Sequence, residues 1–349
     1  AEDFPFHQNY MPPIWKYMHT HIPHEKNGPI ISGSFSCCSS LCSVVFWQSI
    51  SWSIRLKKTA IHIESISKRY AEVQALDQIS LDVEEGELFG LIGPDGAGKT
   101  TLIKILVTLF SADDGNASIL GMDTNDSKAS IRKIIGYMPG RFSLYPDLSV
   151  EENLSFFARA FDTTIAENYS LIQSIYDQLK PFKDRKSGAL SGGMKQKLAL
   201  CCALIHRPKV LILDEPTTGV DAVSRKEFWQ MLHEIKSQGI TILVSTPYMD
   251  EANLCDRIAF LQGGKILSID TPSNITGQFP WQLFAIKSQK KYALTEWLRA
   301  WEKVSYCYAF GEYLHVAFSD NDIQMKELKE YLLAGSISDA EIITIPPTI

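Results

Sequence analysis

The sequence predicts an α/β fold with a parallel sheet, followed by a smaller α+β unit. Across 59–277, short apolar runs typical of buried strands alternate with helical patterns, which indicates such a sheet. One of these runs leads directly into a glycine-rich loop and then into an apolar helical pattern. Residues 280–349 instead follow the order β-α-β-β-α-β, a ferredoxin-like arrangement. We therefore expect two folded units, at 59–277 and 280–349, after an N-terminal extension at 1–58.

Composition and charge place the chain among ordinary globular proteins. It has 349 residues, of which 45% are hydrophobic and 21% are charged. The formal net charge of −6 argues against a surface that coats nucleic acid, so no nucleic-acid partner is expected. Seven cysteines in a chain of this length do not make a disulfide scaffold. The cluster Cys37, Cys38 and Cys42 lacks the paired spacing of a zinc site.

Residues 1–58 differ in composition from the rest of the chain. Their most apolar part, 41–54, is shorter than the roughly 20 residues that a membrane-spanning helix needs. Arg55, Lys57 and Lys58 follow it and would suit an anchor at the membrane interface. Three interpretations stay open: a disordered tail, a weak membrane anchor, or sequence that does not belong to the native protein.

A phosphate-binding loop follows the buried strand predicted at 87–92. Residues 93–101 have the sequence G-P-D-G-A-G-K-T-T, which fits the pattern G-x-x-x-x-G-K-[ST]. Its glycines let backbone N–H groups approach phosphate oxygens, and the helix predicted at 100–110 adds the positive end of its dipole. Lys99 can reach the β- and γ-phosphates, and the Thr100 hydroxyl can bind Mg²⁺. The alternative, a glycine-rich turn that matches by chance, is disfavoured by the flanking strand and helix.

Strand and helix patterns surround this loop. Alternating residues or uninterrupted apolar runs predict strands at 61–67, 79–83, 210–213, 240–244 and 257–261. The uninterrupted runs are typical of central parallel strands that are buried on both faces. Between these strands lie a polar, turn-rich stretch at 111–127 and a mostly helical stretch, which predicts a helical subdomain at about 146–206.

The C-terminal unit is predicted to begin after a linker-like composition at 269–278. Its predicted strands lie at 283–286, 304–310, 313–318 and 341–345. Apolar residues at helical spacing predict two helices, at 294–301 and 325–332. We find no catalytic constellation in this half of the sequence, and we interpret its aromatic residues as core.

Asp214 and Glu215 follow the apolar run at 210–213. A carboxylate at the end of a buried strand can hold Mg²⁺ directly or through water, which is the role predicted for Asp214. Glu215 is placed to polarise an attacking water as a general base. The pair alone indicates little, but together with the upstream phosphate-binding loop it strongly indicates a nucleotide site.

Residues 190–196, L-S-G-G-M-K-Q, supply a second potential anion site. Ser191, Gly192 and Gly193 offer a hydroxyl and bare amides ahead of a predicted helix. One nucleotide needs only one such cradle, so the second is predicted to serve a nucleotide held by another subunit. The alternative is a plain Ser-Gly-Gly helix cap, which would be the default interpretation if the motif stood alone.

Together these motifs resemble the nucleotide-binding domain of an ATP-binding cassette (ABC) transporter. The type is similar to the ATPase subunit of bacterial ABC-2-like exporters, and the resemblance covers about residues 60–277. It includes the phosphate-binding loop (Walker A), the L-S-G-G signature, the Asp214–Glu215 pair (Walker B) and T-T-G-V-D at 217–221. It implies a P-loop ATPase fold that binds ATP and Mg²⁺. A C-terminal βαββαβ appendage is also seen in such subunits.

The resemblance assigns a role to each matching residue. Tyr70 would stack on adenine, and Asp221 would belong to the D-loop, which communicates between two sites. The implied catalytic residues are Glu215 and Lys99, and the implied ligands of Mg²⁺ are Thr100 and Asp214. The residues implied to bind nucleotide are Tyr70, Gly93, Asp95, Gly96, Gly98, Lys99, Thr100, Thr101, Ser191, Gly192, Gly193 and Asp221, with Ser191 to Gly193 acting across a dimer.

Three positions depart from the family pattern. Gly140 stands where the family usually has the glutamine that helps to coordinate Mg²⁺ and water. Pro247 stands where a histidine usually contacts the γ-phosphate, and proline has neither an imidazole nor an N–H. Asp95 stands where asparagine is common and adds negative charge near the phosphates. Gly140 and Pro247 can also be explained as a turn residue and a strand terminator.

The resemblance also implies partners and a location. A second cassette would complete the dimer, and a transmembrane permease would hold this chain peripherally on the cytoplasmic side of the cell membrane. From residue 60 onward no stretch is apolar enough to span a bilayer, so the permease is expected to be another polypeptide. The departures at Gly140 and Pro247 predict an asymmetric pair. In it, this chain's own site hydrolyses ATP slowly and its signature completes the partner's site.

Two other functions remain open at this point. One is a soluble ABC ATPase that works in translation or DNA repair, although such proteins typically carry two cassettes or a long coiled-coil insertion. The other is a regulatory subunit that binds nucleotide without hydrolysing it, which Gly140 and Pro247 favour and Glu215 disfavours. The sequence stops at 346–349, where family members are expected to continue, so we also expect that the chain is a fragment.

Overall fold

The computed structural model describes residues 58–278, 281–318 and 325–346. The three interpretations of the N-terminal extension therefore fall outside the described residues. In the described ranges no helix combines the length and the apolar character needed to cross a bilayer. The boundaries expected for the folded units stay predictions.

Fourteen strands and ten helices can be assigned within the described residues. The strands are β1 (Thr59–Tyr70), β2 (Val73–Glu84), β3 (Leu88–Ile92), β4 (Asp114–Ile119), β5 (Met122–Asp123), β6 (Ile135–Met138), β7 (Val210–Asp214), β8 (Thr241–Thr246), β9 (Arg257–Gln262), β10 (Lys265–Asp270), β11 (Leu283–Lys287), β12 (Val304–Phe310), β13 (Tyr313–Phe318) and β14 (Glu341–Ile345). The helices are α1 (Lys99–Leu106), α2 (Lys128–Ile134), α3 (Val150–Ala160), α4 (Ile165–Leu179), α5 (Gly192–Leu204), α6 (Ala222–Ser237), α7 (Met249–Ala252), α8 (Pro272–Gly277), α9 (Lys291–Arg299) and α10 (Met325–Ala334). Two short 3₁₀ turns, Lys180–Phe182 and Ser187–Ala189, lie between α4 and α5.

A six-stranded sheet forms the centre of the fold, in the order β10-β9-β3-β8-β7-β6. Strands β9, β3, β8, β7 and β6 are parallel to one another, and β10 is antiparallel at the edge. Every residue of β3, β7 and β8 is buried, as expected for parallel strands covered on both faces. Because parallel strands end at the same edge, the loops after β3, β7 and β8 lie side by side. The α/β fold class is thereby confirmed.

A second sheet, in the order β2-β1-β4-β5, is antiparallel and was not anticipated as a separate layer. The interpretation of 111–127 as only turn-rich was wrong, because β4 and β5 lie within it. Its strand pattern is weak, since only Ala117 and Ile119 of β4 are buried. The buried residues of this sheet join those of α1 and of one face of the central sheet in a single core.

The helix predicted at 100–110 ends four residues early. Thr108 has a positive φ of 61°, which L-residues rarely adopt inside a helix. The N–H groups of Leu109 and Phe110 both donate to the carbonyl of Lys104, at 2.9 and 3.1 Å, so the chain turns away there. The apolar residues beyond α1 had extended the predicted helix past its true end.

The C-terminal strands form a third sheet, β12-β13-β11-β14, in which every pair is antiparallel. With α9 and α10 between the strands, the β-α-β-β-α-β order agrees with the one predicted from sequence. The predicted helix at 294–301 reaches too far, because α9 ends at Arg299. Trp301 lies beyond α9 and stacks on Tyr331 of α10, with ring centroids 3.9 Å apart. Trp301 is therefore part of the C-terminal core, as predicted, and Tyr331 packs against it.

One buried amide, Asn153 of α3, holds the loop that leads into that helix. Its Nδ2 donates to the carbonyls of Tyr145, Leu148 and Ser149 at 2.9–3.2 Å, and its Oδ1 accepts from the N–H of Tyr145 at 3.0 Å. Ser149 caps the same helix in a reciprocal pair with Glu152. Asn153 therefore supplies hydrogen-bond partners to the backbone N–H and carbonyl groups of the loop that leads into α3.

Replacing Asn153 by alanine should lower the free energy of unfolding by about 2–4 kcal/mol, because buried backbone groups lose their partners. Chemical denaturation followed by circular dichroism measures this change. Asn116→Ala, on an exposed position of β4, is the matched control and should change stability by about 0.5 kcal/mol or less. Equal effects of the two substitutions would contradict the role of the Asn153 hydrogen bonds.

Candidate nucleotide-binding site

The loop between β3 and α1 lines a cavity of ≈ 500 Å³ at the carboxyl edge of the central sheet. Two glycines are required by its geometry. Gly98 has a φ of 107° at the N-terminus of α1, and a Cβ on Gly93 would lie 2.2 Å from the carbonyl of Leu261. No side chain caps α1 there. The predicted site residues that line the cavity are Asp95, Gly96, Gly98, Lys99, Thr100, Thr101 and Glu215.

Lys99 is buried beneath this loop, with 3% of its surface exposed. Its ammonium donates to the carbonyls of Gly93 and Pro94 at 2.8 and 3.0 Å. It also lies 3.2 Å from a carboxylate oxygen of Glu215. The loop thus holds its lysine by its own backbone and brings it beside the predicted general base.

Asp214 and Glu215 are positioned by Ser245 at the end of β8. The Ser245 hydroxyl donates to Asp214 at 2.8 Å, and the N–H of Glu215 donates to the Ser245 carbonyl at 3.1 Å. Thr100 donates from its hydroxyl to the same carboxylate oxygen of Asp214 at 3.1 Å. The structure therefore brings together the two predicted ligands of Mg²⁺. Burial and the negative charge of Asp214 raise the pKa of nearby Tyr137 to about 12, so Tyr137 stays neutral.

Ser245 was not among the residues predicted for this site. In the sequence it is only a hydroxyl near the end of an uninterrupted apolar run. Its role becomes clear from the pairing of β7 with β8, which places Ser245 opposite Asp214.

Tyr70 lies at the end of β1 and is 42% exposed. Its ring packs edge-on against Phe110, with centroids 6.3 Å apart, and it does not line the cavity. Val73 and Gln74, which begin β2 directly after the turn, do line it. These two residues were not predicted from sequence, because nothing in their type predicts contact with a ligand.

The signature residues lie outside this cavity. Ser191 caps α5 by accepting from the N–H of Met194 at 3.4 Å, and Gly192 is exposed. A Cβ on Gly193 would lie 2.7 Å from the hydroxyl oxygen of Ser224, so α5 begins in close contact with the first turn of α6. Asp221 caps α6 and accepts from the N–H groups of Val223 and Ser224 at 3.1 and 3.0 Å. The two predicted helix starts therefore lie together, away from the chain's own phosphate-binding loop.

Two of the three departures from the family pattern, Gly140 and Pro247, lie near the Walker B residues. A Cβ on Gly140 would approach the carbonyl oxygen of Asp214 to 3.0 Å and the Cβ of Glu215 to 3.9 Å. Pro247 directly follows β8, whose neighbour in the sheet is β7 with Asp214. The side chains of a glutamine and a histidine at these positions would thus start from backbone that lies near Asp214 and Glu215.

The cap at Asp221 should make stability depend on pH. Its pKa is lowered, chiefly by hydrogen bonds from the backbone and hydroxyl of Ser224. Because the folded pKa lies below the unfolded one, the charged cap stabilises at neutral pH, and this contribution is lost as pH falls through the folded pKa. Asp221→Asn keeps a neutral cap. The difference in melting temperature between the natural chain and this variant should therefore shrink as pH is lowered through the acidic range. A difference independent of pH would contradict this account.

Known proteins of similar sequence agree with the nucleotide-binding site described above. The sequence profile of the family described as "ABC transporter" matches residues 76–218. The chain is 39% identical over 223 residues to the probable multidrug ABC transporter ATP-binding protein YbhF of Escherichia coli, which covers 63% of this chain and 39% of that protein. It is 38% identical over 218 residues to the Nod factor export ATP-binding protein I of Burkholderia thailandensis, covering 62% of this chain and 72% of that protein.

Solved structures show the same fold. An ATP-binding subunit of an ABC transporter matches with a TM-score of 0.58 and 30% identity, over 63% of this chain and 93% of that one. The dimeric, post-hydrolysis ATP-binding cassette MJ0796, bound to ADP and Pi, matches with a TM-score of 0.55 and 26% identity, over 60% of this chain and 98% of that one. The fold is thus that of a P-loop ATP-binding cassette. The chain belongs to the ABC transporter family, among its ATP-binding proteins, and it spans about 39% of the length of the YbhF relative.

Proposed function

We propose that this chain is the ATP-binding and ATP-hydrolysing component of an ABC exporter. The observation that carries the proposal is that Lys99, Thr100 and Glu215 line one cavity, with Asp214 hydrogen-bonded to Thr100. A buried ammonium beside a helix N-terminus suits a triphosphate, and Glu215 lies where it can accept a proton from an attacking water. The names of the relatives support transport as the process that hydrolysis serves.

The oxygen ligands near the cavity fit Mg²⁺. Thr100 and Asp214 present a hydroxyl and a carboxylate 3.1 Å apart, and hard oxygen ligands are those that this ion prefers. These two residues would hold it, and it would supply positive charge to the β- and γ-phosphate oxygens. Ser245 orients Asp214 through its hydrogen bond.

We further propose that the chain works in a dimer of cassettes with unequal sites. Ser191, Gly192 and Gly193 are not among the residues that line the chain's own cavity, and the cap at Ser191 leaves Gly192 exposed. They are thus available to a nucleotide on a second cassette, as in the arrangement that the family resemblance implies. Gly140 and Pro247 leave this chain's own Walker side without the glutamine and the histidine, so its own turnover is slow while its signature completes the partner's site.

The partner that ATP hydrolysis drives is a transmembrane permease. The chain associates peripherally with it on the cytoplasmic side of the membrane. The family membership supports this assignment, as do the names of the relatives, one a multidrug transporter protein and the other a Nod factor export protein. The cargo is selected by the permease. Two alternatives are a non-hydrolysing regulatory subunit, which Gly140 and Pro247 favour, and a soluble ABC ATPase unconnected with transport.

Steady-state phosphate release by the purified full chain, alone and reconstituted with a candidate permease in vesicles, tests the proposal. Slow turnover alone and faster turnover with the permease are expected. Nucleotide binding without any phosphate release in either setting would favour the regulatory subunit. Fast turnover that no permease changes would favour the soluble ATPase.

A further inference from the structure

Glu251 of α7 is a buried carboxylate that the Walker motifs do not use. It is 1% exposed, and it accepts hydrogen bonds from the hydroxyls of Thr217 at 2.7 Å and Thr246 at 2.5 Å. Thr217 lies in the turn between Glu215 and the D-loop, and Thr246 is the last residue of β8. One carboxylate group therefore joins two segments that lie almost thirty residues apart in the chain.

Arg225 supplies the charge opposite Glu251. Its Nε lies 3.7 Å from a Glu251 oxygen and its Nη1 lies 3.6 Å from Asp250. Its guanidinium also lies over the ring of Tyr248, 4.3 Å from the centroid. A carboxylate this deeply buried is costly unless it is paired and hydrogen-bonded, and here both conditions are met. We call Glu251, Arg225, Thr217 and Thr246 the clasp.

The clasp reaches the signature through the first turn of α6. Arg225 follows Ser224, whose hydroxyl is the atom that a Cβ on Gly193 would meet. Ser224 is also bonded through its N–H to Asp221. A contiguous set of contacts thus runs from the start of α5, through α6, to the segment that carries Pro247.

We propose that Glu251 and Arg225 are positioning residues that couple the signature end of the chain to its own Walker B and post-β8 segments. This inference rests on the proposed function, because it assigns the clasp a part in ATP turnover. When α5 and α6 are moved by a partner's nucleotide, Arg225 moves with α6. Through Glu251 it then shifts Thr217 and Thr246, the neighbours of Glu215 and Pro247.

The clasp matters more in this chain than it would in a chain with a histidine at position 247. Pro247 offers no N–H and no imidazole, so it cannot contact a γ-phosphate in that way. The segment after β8 is held instead by the Thr246 hydroxyl, which accepts from the N–H of Tyr248 at 3.0 Å while it donates to Glu251. Glu251, which holds the start of this segment, in turn faces Arg225 of α6 at 3.7 Å.

The test uses the full chain with Glu251→Gln, Arg225→Gln and the double variant. The carboxylate accepts from the two threonine hydroxyls on separate oxygens. Glutamine keeps one of these acceptors, replaces the other with an amide donor, and removes the charge that Arg225 meets. Lys236→Gln is the matched control, because Lys236 lies on the same helix and pairs with Asp256 at 2.5 Å. Its exposure of 29% is close to the 25% of Arg225. Amide hydrogen exchange without nucleotide, kcat and KM for ATP, and binding of a fluorescent ATP analogue are measured for each.

Each single variant should speed amide exchange about tenfold in both 216–220 and 246–250. The double variant should add little, because both substitutions remove the same interaction between Glu251 and Arg225. The kcat should fall about tenfold with KM and analogue affinity within about twofold, and the control should match the natural chain. Faster exchange in 246–250 alone, additive effects in the double variant, or a loss of affinity equal to the loss of kcat would overturn the proposal. If Glu251→Gln fails to fold, Arg225→Gln decides by the same criteria.

The exchange experiment also separates this inference from the proposed function. If the natural chain releases no phosphate while both segments loosen together, the proposed hydrolysis fails and the clasp stands as a mechanical link. If phosphate is released normally and the segments loosen independently, hydrolysis stands and the coupling through Glu251 is wrong.

Discussion

Replacing Glu215 by glutamine is expected to lower ATP turnover by about 10²- to 10³-fold while nucleotide affinity stays within a few-fold. Glutamine has nearly the same shape, so the N–H bonds from position 215 to Ser245 are kept. Its amide cannot accept a proton from water, and it no longer attracts the Lys99 ammonium 3.2 Å away. Single-turnover phosphate release together with an independent measurement of nucleotide affinity distinguishes lost chemistry from lost binding.

Glu227→Gln provides the control for Glu215→Gln. Glu227 pairs with Lys197 at 2.7 Å, so this substitution also removes a lysine–glutamate contact, but Glu227 does not line the cavity. Its turnover should match that of the natural chain. Unchanged turnover in Glu215→Gln would exclude Glu215 as the base, and a parallel loss of affinity would assign it to binding.

The local motifs were predictable because their chemistry is written in adjacent residues. A strand, a glycine loop and a helix occupy consecutive stretches from Leu88 to Leu106, so the phosphate-binding geometry followed from the sequence alone. Asp214 and Thr100 are 114 residues apart, and each was predicted from its own motif as a ligand of Mg²⁺ at one nucleotide site. The central strands were predictable for a similar reason, because an uninterrupted apolar run identifies a strand buried on both faces.

Residues that act through tertiary pairing were not predictable. Ser245 becomes a support for Asp214 only through the register of β7 with β8, and Glu251 becomes a link only because two threonines from distant segments approach it. The strand β4 has too few buried residues for its alternation to be recognised, and its partner β1 supplies the other side of the ladder. Sequence patterns record which side chains are buried and say little about which of them meet.

Introducing Gln at position 140 and His at position 247 together is expected to raise the chain's own ATP turnover by about 10²-fold, since one positioned polar contact in such a reaction is worth about that much. A Cβ on Gly140 would lie 3.0 Å from the carbonyl oxygen of Asp214, so the backbone there must yield by a few tenths of an ångström to admit the glutamine. Once admitted, its amide begins beside Asp214 and Glu215. At position 247 a histidine restores both the imidazole and the backbone N–H that proline lacks.

Steady-state phosphate release by the Gly140→Gln, Pro247→His double variant measures the effect, and Gly140→Ala with Pro247→Ala is its control. The alanine pair adds the same Cβ at position 140 and the same N–H at position 247, without an amide or an imidazole. If the alanine pair raises turnover equally, the changed backbone at positions 140 and 247 explains the gain, and the glutamine and histidine side chains do not contribute to it. If the glutamine and histidine leave turnover unchanged while Glu215→Gln abolishes it, the chain's own site is already fully competent. The unequal pair of sites is then wrong, because slow turnover at this chain's own site was the reason to propose it.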